Sequence, residues 1–555
     1  MTQLILDAVY DHESKLAQHV YLTQPLGAGQ VKDYTWSQVM NEARRMAAHL
    51  QSLGLSRGDR VAMLSKNCAH FFIAELAIWI GGFTTVAIFP TEGEGTIKYV
   101  LEHSEAKALF VGKLDDYGTQ KGGVPAGVKL ITFPLGPKNV EGAESWDEII
   151  AKTKPIEGKP ARDGKDLAMI IYTSGSTGQP KGVMHSFERV SAATHGIIRG
   201  IKFVAGDRAL SYLPLAHVFE RAYIECVSMM VGGGHIFFAE SLETFVADLR
   251  RATPTLFLSV PRLWLKFQQG VFAKMPPQRL EMLLKIPIVK GIIGKKVLTG
   301  LGLQHVRLAG SGSAPIPGEL IAWYRRLGLR LLEGYAMTED FAFSHLSTDD
   351  ANEPGYVGVP YPGVDVKLSE EGEVMIKSPG CMVGYYKRPD LDSEVMTADG
   401  FFRTGDKGER KPNGLLKITG RVKELFKTAK GKYVSPAPIE NKLNEQPLIE
   451  LSCVSGVGQP AAYAMVILAE NIRKAGLDAA TKERVEKELT AWLEEVNKGL
   501  SGYEQLQMFV VMSEPWTIEN GLLTPTMKLK RAKIEAAVAD KLEGWYSAKK
   551  PVLWA

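Results

Sequence analysis

Cysteine is scarce in this sequence. The 555 residues contain four cysteines, at positions 68, 226, 381 and 453, and they lie far apart. Such spacing forms neither a metal knuckle nor a disulfide framework, which favours a reducing, cytoplasmic compartment. The sequence also lacks a large excess of charge of either sign, since it has 66 Lys and Arg and 62 Asp and Glu. Because no dense basic tract is present either, we expect no nucleic acid as a partner.

Long hydrophobic runs are missing as well. The N-terminus has an early acidic residue, Asp7, and no basic region ahead of an apolar core, so we expect no signal peptide. The most apolar segment, residues 71–89, carries Glu75 and is interrupted by Gly81 and Gly82. We interpret it as a buried helix, a glycine turn and a β-branched strand rather than a membrane span.

What the sequence does contain is an alternation of helical and strand patterns. Helices are predicted over residues 36–53 and 243–252, and strands over residues 60–64, 108–111 and 235–239. This alternation predicts an α/β fold with substantial parallel sheet. The chain is too long for one hydrophobic core, so we expect at least two domains.

The pattern changes near the C-terminus. Residues 480–500 form a charged amphipathic helix pattern, and a second helix pattern covers residues 529–542. These segments predict a smaller α+β domain that begins near residue 420.

A polar loop, YTSGSTGQPKG at residues 172–182, follows a strand-like apolar run at 167–171. A Walker phosphate loop fails here, because Pro180 and Gly182 occupy positions that require glycine and Ser or Thr. The chemistry still suits a polyphosphate, since glycines let backbone amides approach it, hydroxyls donate hydrogen bonds and Lys181 supplies a charge. A plain solvent loop would not explain hydroxyls interleaved with glycines.

The loop resembles the phosphate-loop signature of the adenylate-forming enzymes, which include acyl-CoA synthetases, firefly-luciferase-like enzymes and adenylation domains of peptide synthetases. Further motifs follow in that family's order, so that the resemblance extends from about residue 167 to 531. They are LPLAHVFE at 213–220, GSGSAP at 310–315, EGYAMTE at 333–339, FRTGD at 402–406, GRVKELFK at 420–427 leading to Gly431, and LTPTMKLKR at 523–531.

The resemblance implies the domain organisation. A large N-terminal α/β domain with parallel-rich sheets would bind ATP and the acyl group over residues 1–419. Residues 420–423 would form a hinge at Lys423, and a small, mobile α+β lid domain over residues 424–555 would carry the adenylation lysine, Lys528.

The resemblance also implies the nucleotide site. Tyr335 would stack on adenine, and Asp406 would accept hydrogen bonds from the ribose hydroxyls. Thr177 and Glu339 would hold Mg²⁺, a hard cation that takes oxygen ligands. Ordinary turns are the alternative for 333–339 and for Asp406 when each is taken alone. The other implied cofactor-binding residues are Thr173, Ser174, Gly175, Ser176, Gly178, Lys181, Gly312, Ala314, Glu333, Gly334, Arg421, Lys427 and Gly431.

Four residues are implied to be catalytic. Lys528 would stabilise the charge that develops on the transferring phosphate, with Thr338 and Glu339 on the phosphate and metal side. His217 would lie near the carboxylate end of the acyl pocket, although a core histidine satisfied by backbone is an equal alternative. Lys427 matches a position used in the second half-reaction, and a basic solvated connector is the alternative for it and for Lys423.

The implied activity is the joining of a carboxylate to CoA, with ATP converted to AMP and pyrophosphate through an acyl-adenylate. Residues 214–221 and 524–531 resemble the long-chain fatty acid branch, and we expect a bacterial enzyme whose substrates are a fatty acid, ATP and CoA. Ala336 and Phe402 depart from the usual Gly and Tyr, which puts the shape of the pocket in doubt.

Several alternatives stay open at this point. The chain could be an acyl-AMP ligase, a medium-chain or aryl-CoA ligase, or a nucleotide-binding protein without turnover. The acyl-chain length is open because the residues that build such a pocket are distant in the sequence. A cytoplasmic protein with peripheral contact at the inner membrane face, and an oligomer, are also open.

Overall fold

The computed structural model describes residues 3–173, 179–348 and 350–555. The strands, in chain order, are β1 Val20–Gly27, β2 Gln30–Thr35, β3 Arg60–Leu64, β4 Thr84–Ile88, β5 Ala108–Val111, β6 Lys129–Thr132, β7 Ala143–Ser145, β8 Leu167–Thr173, β9 Lys181–Ser186, β10 Arg208–Ser211, β11 His235–Phe238, β12 Leu256–Ser259, β13 Leu308–Ser311, β14 Leu331–Tyr335, β15 His345–Leu346, β16 Val359–Pro360, β17 Asp365–Leu368, β18 Glu373–Lys377, β19 Gly384–Tyr385, β20 Phe402–Arg410, β21 Leu416–Arg421, β22 Phe426–Lys427, β23 Tyr433–Val434, β24 Ile449–Ser455, β25 Ala462–Leu468, β26 Leu506–Val511 and β27 Val552–Trp554.

The helices follow the same order. They are α1 Ile5–Lys15, α2 Trp36–Ser52, α3 Ala69–Gly81, α4 Glu94–Ser104, α5 Trp146–Lys152, α6 Phe187–Ile201, α7 Val218–Glu220, α8 Val227–Val231, α9 Phe245–Ala252, α10 Pro261–Lys274, α11 Pro277–Leu284, α12 Pro287–Leu301, α13 Gly318–Arg326, α14 Pro389–Val395, α15 Pro436–Leu443, α16 Glu470–Ala475, α17 Ala479–Lys498, α18 Arg531–Ala536 and α19 Leu542–Ala548. A π-helical turn, Arg221–Cys226, joins α7 to α8.

The central sheet of the N-terminal part runs in the order β19–β9–β8–β4–β3–β5–β6–β7. The strands from β8 to β7 in that order are parallel, and β9 and β19 run antiparallel to their neighbours. Strands β3, β4 and β5 are buried along almost their whole length, as expected for parallel strands covered by helices on both faces. The predicted α/β class with parallel-rich sheets is therefore confirmed.

The most apolar segment forms α3, a turn and β4, as predicted, and Gly82 closes the helix at φ 97°. Glu75 is completely buried within α3, where its Oε1 lies 2.5 Å from Nη2 of the equally buried Arg221. Glu225 lies 3.3 Å from Nε of the same arginine. The acidic residue inside this apolar helix is therefore one of two buried carboxylates that pair with Arg221. Among the described residues, no helix is both long enough and apolar enough to cross a bilayer.

Two further sheets bring distant motifs together. In the order β12–β13–β14–β15–β16, the first three strands are parallel, so β13 and β14 end at the same edge. Residues 310–315 begin at the end of β13, and residues 333–339 begin at the end of β14. In the order β17–β18–β20–β21, antiparallel pairing sets Asp406 opposite Arg421. Parallel topology and register thus position the candidate site.

The C-terminal part has its own sheet, β24–β25–β26–β27. Alternate residues of β25 contribute to two separate cores, because side chains of a strand point to opposite faces. Ala464 and Val466 pack in one core with helices α15 and α17, and Met465 packs in the other with Trp516 and Trp545. A sheet covered on both faces by helices and loops is the small α+β unit that the sequence predicts.

One helix prediction is wrong. Residues 529–542 do not form a single helix, because α18 ends at Ala536 and a 3₁₀ turn, Ala539–Lys541, precedes α19. Val538 has φ −124°, outside the helical range, and is buried in the same core as Trp545. The helices predicted at 36–53, 243–252 and 480–500 are confirmed as α2, α9 and α17 with slightly different ends.

Candidate functional site

Asp406 is the centre of the candidate site. Its carboxylate is buried, with 6% of the residue exposed. Oδ2 accepts a hydrogen bond from the Tyr335 hydroxyl at 2.7 Å, and Oδ1 accepts one from Arg421 Nε at 2.9 Å. The negative charge of Asp406 raises the pKa of Arg421, whose side chain is 53% exposed. Asp406 thereby joins β14 to the β20–β21 pair and presents a fixed cation to solvent.

Glu339 and Lys181 meet at a tyrosine. The Tyr385 hydroxyl donates to Glu339 Oε1 at 2.8 Å, and Lys181 Nζ lies 5.2 Å from the centroid of the Tyr385 ring. Strand β19, which carries Tyr385, pairs with β9, which begins at Lys181. Sequence reasoning missed Tyr385, since its short strand has no distinctive pattern beyond the Tyr385-Tyr386 pair.

His185 holds the turn that precedes Glu339. Its Nε2 lies 2.9 Å from the carbonyl oxygen of Thr338. Burial lowers the pKa of His185 to about 3, so the ring is neutral and Nε2 donates the hydrogen bond to this carbonyl. His185 lies on the same face of β9 as Lys181, four residues away. The sequence did not single out this histidine, which resembles an ordinary core residue.

Glu333 is a buried carboxyl group with one free oxygen. The Ile316 amide donates to Oε1 at 3.4 Å, and Oε2 has no hydrogen-bond partner within the described part of the chain. Burial raises the pKa of Glu333 to about 8, so the group is largely protonated at neutral pH. A neutral carboxyl group can both donate and accept hydrogen bonds.

Gly312 and Gly334 lie in neighbouring segments of the site. A Cβ atom on Gly312 would lie 3.4 Å from the Phe219 ring and 3.7 Å from the Gly334 carbonyl oxygen, which are ordinary packing distances. Gly334 itself pairs with Leu346 across β14 and β15. Ala314 is exposed on the loop that follows.

His217 is held by backbone and stays neutral. Its Nδ1 accepts a hydrogen bond from the Phe219 amide at 3.2 Å, which caps α7. Burial, and to a lesser extent the charge of Lys528, lower the pKa of His217 to about 3. With Nδ1 accepting, the proton of the neutral ring is on Nε2. The backbone contact at Nδ1 does not exclude a role for His217 at the site. Among the described residues, its Nε2–H group has no hydrogen-bond acceptor and could donate to a ligand.

Lys528 reaches the site from the C-terminal part of the chain. Its amide donates to Thr524 Oγ1 at 3.0 Å, and its carbonyl oxygen accepts from the Thr524 amide at 2.8 Å. The side chain remains solvent-accessible in the cleft, yet burial among protein atoms and the charge of Arg421 lower its pKa. The charges of Asp406 and Glu339 act in the opposite direction. The structure therefore brings Lys528 close to the residues of the N-terminal part.

Some predicted residues lie elsewhere. Lys423 is exposed on the 3₁₀ turn Val422–Glu424, and Lys427 lies 5.6 Å from the Tyr433 ring on the β22–β23 hairpin. Gly431 makes the turn of that hairpin at φ 77°. Among the described residues, no hydrogen bond or ion pair joins this hairpin to Asp406. The structure does not bring Lys427 and Gly431 to the Asp406 cluster.

The phosphate loop is described only at its ends. Thr173 and Lys181 lie opposite each other where β8 and β9 pair. The predicted residues Ser174, Gly175, Ser176, Thr177 and Gly178 lie outside the described residues.

Glu339 is the carboxylate at the site that could bind a cation. Among the described residues, no group of three or more His, Cys, Asp and Glu is arranged to hold a metal ion. Mg²⁺ commonly binds through one or two carboxylates together with substrate phosphates and water. A single glutamate therefore fits Mg²⁺ that arrives with a nucleotide better than a resident metal centre.

Ion pairs connect the two parts of the chain next to this cleft. Arg262 on α10 pairs with Glu450 on β24, and Glu450 also lies 2.5 Å from Arg473. A weaker pair joins Lys266 to Glu470 at 3.9 Å. Glu450 is 18% exposed, so this bridge is partly protected from solvent. Both ion pairs join α10 to the C-terminal part of the chain.

Comparison with known sequences shows relatives along nearly the whole chain. Residues 11–386 match the AMP-binding enzyme family, and residues 424–550 match the C-terminal domain of AMP-binding enzymes. The chain is 30% identical to the long-chain-fatty-acid–CoA ligase FadD15 of Mycobacterium bovis, over 97% of this chain and 96% of that protein. It is 30% identical to long chain acyl-CoA synthetase 5 of Arabidopsis thaliana, over 95% of this chain and 88% of that protein.

Solved structures share the fold. The A–PCP didomain of a carboxylic acid reductase from Segniliparus rugosus, in complex with AMP, superposes with a TM-score of 0.81 at 22% identity, over 99% of this chain and 82% of that one. The anthranilate CoA ligase AuaEII, in complex with anthranoyl-AMP, gives 0.79 at 21% identity, over 98% of each chain. At these identities the likeness establishes the architecture only.

The bridge at Arg262 predicts a measurable change in domain orientation. Arg262→Glu would place a carboxylate beside Glu450. The present orientation of the C-terminal part should therefore be destabilised by about 1 kcal/mol or more, which lowers its population roughly fivefold. Trypsin cleavage in residues 420–423 should speed up, and the radius of gyration from small-angle scattering should rise.

A charge reversal at a second ion pair, located within the N-terminal part, is the matched control. Arg326→Glu faces Glu281 at 3.1 Å within the N-terminal part and should leave both measurements unchanged. Equal cleavage rates in wild type and Arg262→Glu would show that the bridge does not hold the orientation.

Proposed function

Because the chain belongs to the AMP-binding enzyme family, we propose that it is an AMP-forming acyl-CoA ligase that acts on long-chain fatty acids. A fatty acid carboxylate attacks the α-phosphorus of ATP, pyrophosphate leaves, and the thiol of CoA then displaces AMP from the acyl-adenylate. Relatives named for long-chain fatty acids, aligned over almost the whole of this chain, support this substrate class.

The observation that carries the proposal is the buried Asp406 carboxylate, held by Tyr335 and Arg421, in a site whose charges also act on Lys528. Three cations, Lys181, Arg421 and Lys528, belong to a site that has the carboxylates Glu339 and Asp406. Such a site suits an anionic ligand with a divalent cation, as a nucleoside triphosphate with Mg²⁺ provides.

Each residue takes a role that its contacts allow. Asp406, held by Tyr335 and Arg421, would accept hydrogen bonds from the ribose, and the Tyr335 ring would lie against the base. Lys181 and the loop after Thr173 would neutralise the terminal phosphates. Glu339, oriented by Tyr385, would contribute a carboxylate oxygen to Mg²⁺. The bound cation would supply charge neutralisation at the phosphates.

Lys528 would act during adenylation. Lys528, whose pKa is lowered by burial, would be favoured in its charged form by approaching phosphate oxygens, because opposite charge stabilises the ammonium group. It would then stabilise the negative charge that develops at the α-phosphate. His217, neutral and free to donate at Nε2, would orient the attacking carboxylate without transferring a proton.

Thioester formation would need a different arrangement. Lys528 occupies the cleft in the present orientation, so the C-terminal part would rotate about residues 420–423 after adenylation. This rotation would withdraw Lys528 and bring the β22–β23 hairpin, with Lys427 and Gly431, toward the site for the CoA step. The exposure of that hairpin in the present orientation is consistent with such a role.

The activity test is product release with a panel of acids. The protein is supplied with ATP, Mg²⁺, CoA and acids from acetate to oleate, plus benzoate and coumarate, and both pyrophosphate and free thiol are measured. We expect pyrophosphate release matched by thiol loss, with the highest kcat/KM for the long chains. Pyrophosphate without thiol loss would identify an acyl-AMP ligase instead. No pyrophosphate with any acid would favour a nucleotide-binding protein without turnover.

Lys528→Ala should separate adenylation from binding. Loss of one preorganised cation at the transferring phosphate should slow acyl-adenylate formation by about 10²–10³-fold. ATP affinity, measured by calorimetry, should change little, since the other cations and Asp406 remain.

Lys530→Ala is the matched control two residues away, and it should retain adenylation. If Lys528→Ala kept normal activity, or if Lys530→Ala were equally damaging, Lys528 would not be the adenylation lysine.

The neutral carboxyl group of Glu333 predicts a pH effect on nucleotide affinity. If the protonated group donates to the adenine ring, ATP binding should weaken as the pH rises through about 8, where Glu333 ionises. Glu333→Gln keeps the shape, one donor and one acceptor, so its affinity should lack that transition. Glu333→Ala should bind ATP less tightly than wild type below about pH 8, and the difference should shrink above that pH. An unchanged transition in Glu333→Gln would assign the pH effect to another group.

A further inference from the structure

The helices α11 and α12 form a basic, apolar surface that the catalytic site does not use. We define the α11–α12 surface as residues 274–296. This segment contains six basic residues and one acidic residue, whereas the whole chain has a net charge of +4. The basic residues are Lys274, Arg279, Lys285, Lys290, Lys295 and Lys296. None of them forms an ion pair within the described part of the chain, so their charges face solvent.

Large apolar side chains are exposed between these cations. Ile288 is 81% exposed, Ile292 64%, Met282 60% and Ile286 47%. Scattered exposed apolar residues are normal on a soluble surface, but a cluster within one short segment indicates a binding surface.

The exposed isoleucines of α12 lie on the face opposite to the one that packs on the protein core. Ile288, Ile292 and Lys295 follow at the spacing of one helix face, and Gly294 and Leu298 lie on the inward face. Gly294 approaches the backbone of Leu327 so closely that a Cβ atom would lie 2.3 Å from its carbonyl oxygen. The helix is thus anchored through one face, and the opposite apolar face has no partner within the described residues.

We propose that the α11–α12 surface docks on the anionic face of a lipid bilayer. An interfacial element combines apolar side chains, which enter the boundary between headgroups and acyl chains, with Lys and Arg that meet anionic headgroups. The α11–α12 surface has both properties within one segment. A protein partner would not by itself call for so large an excess of unpaired positive charge.

The reason for a membrane-docking surface rests on the proposed function, because the proposed substrate is a long-chain fatty acid. A long-chain fatty acid partitions into membranes, because each methylene group favours an apolar environment. An enzyme held at the bilayer would meet its acyl substrate at the highest local concentration, while ATP and CoA arrive from water.

The test measures vesicle binding without substrates, so it is independent of the activity. The full chain is sedimented with phosphatidylcholine vesicles that contain or lack phosphatidylglycerol, at low and high salt. We expect binding to the anionic vesicles that weakens with salt. The double variant Ile288→Ser, Ile292→Ser should bind about tenfold more weakly, since two side chains of several methylene equivalents are lost.

A matched control removes exposed apolar side chains elsewhere. Val204 is 54% exposed and Leu242 90% exposed, and the double variant Val204→Ser, Leu242→Ser should bind vesicles as wild type does. The melting temperature and circular dichroism spectrum of both double variants should match those of wild type, which shows that they fold. Equal vesicle binding by wild type and the α11–α12 variant would overturn the proposal. Self-association of the wild type without vesicle binding, lost in that variant, would make the surface a protein interface and also overturn it.

Discussion

The buried carboxylate of Asp406 is the constraint on which the site depends. It accepts one hydrogen bond from Tyr335 at the end of a parallel strand and one from Arg421 at the end of an antiparallel pair. Removing either partner would leave a charge in a poorly hydrated place, so the three groups fix one another. Arg421 is also the last residue of β21 and lies within the proposed hinge, residues 420–423. The same carboxylate thus sets the geometry of the site and contacts the proposed hinge.

Groups of both signs act on Lys528. Burial and the nearby Arg421 cation lower the pKa of Lys528. Asp406 and Glu339 offset this only partly. A polyphosphate with Mg²⁺ would compensate both cations, which links nucleotide binding to closure of the C-terminal part. The ion pairs at Arg262 and Glu450 would then stabilise an arrangement that the ligand completes.

Sequence patterns predicted the helices and strands that depend on neighbouring residues. The interruption of an apolar run by Gly81 and Gly82 predicted α3 and β4, and the order of motifs predicted the family. Tyr385 and His185 were missed because their roles depend on the pairing of β19 with β9, which brings residues far apart in sequence together. The predicted helix over 529–542 is wrong because the chain departs from helical dihedral angles at Val538, which is buried in a tertiary core that the local pattern does not encode. Local sequence patterns predict whether a segment is a helix or a strand. The contacts of Tyr385 and His185 depend on strand pairing between distant segments, which such patterns do not predict.

The segment that carries Lys528 cannot move alone. Arg531, three residues later, donates to both carboxylate oxygens of Glu440 at 2.7 and 3.0 Å and to the Val454 carbonyl oxygen at 2.8 Å. These bonds tie the lysine segment to α15 and β24 of the C-terminal sheet. Breaking this largely buried cluster would leave Glu440 without its cation, which is costly. In the proposed second half-reaction, withdrawal of Lys528 would therefore need rotation of the whole C-terminal part about the proposed hinge at residues 420–423.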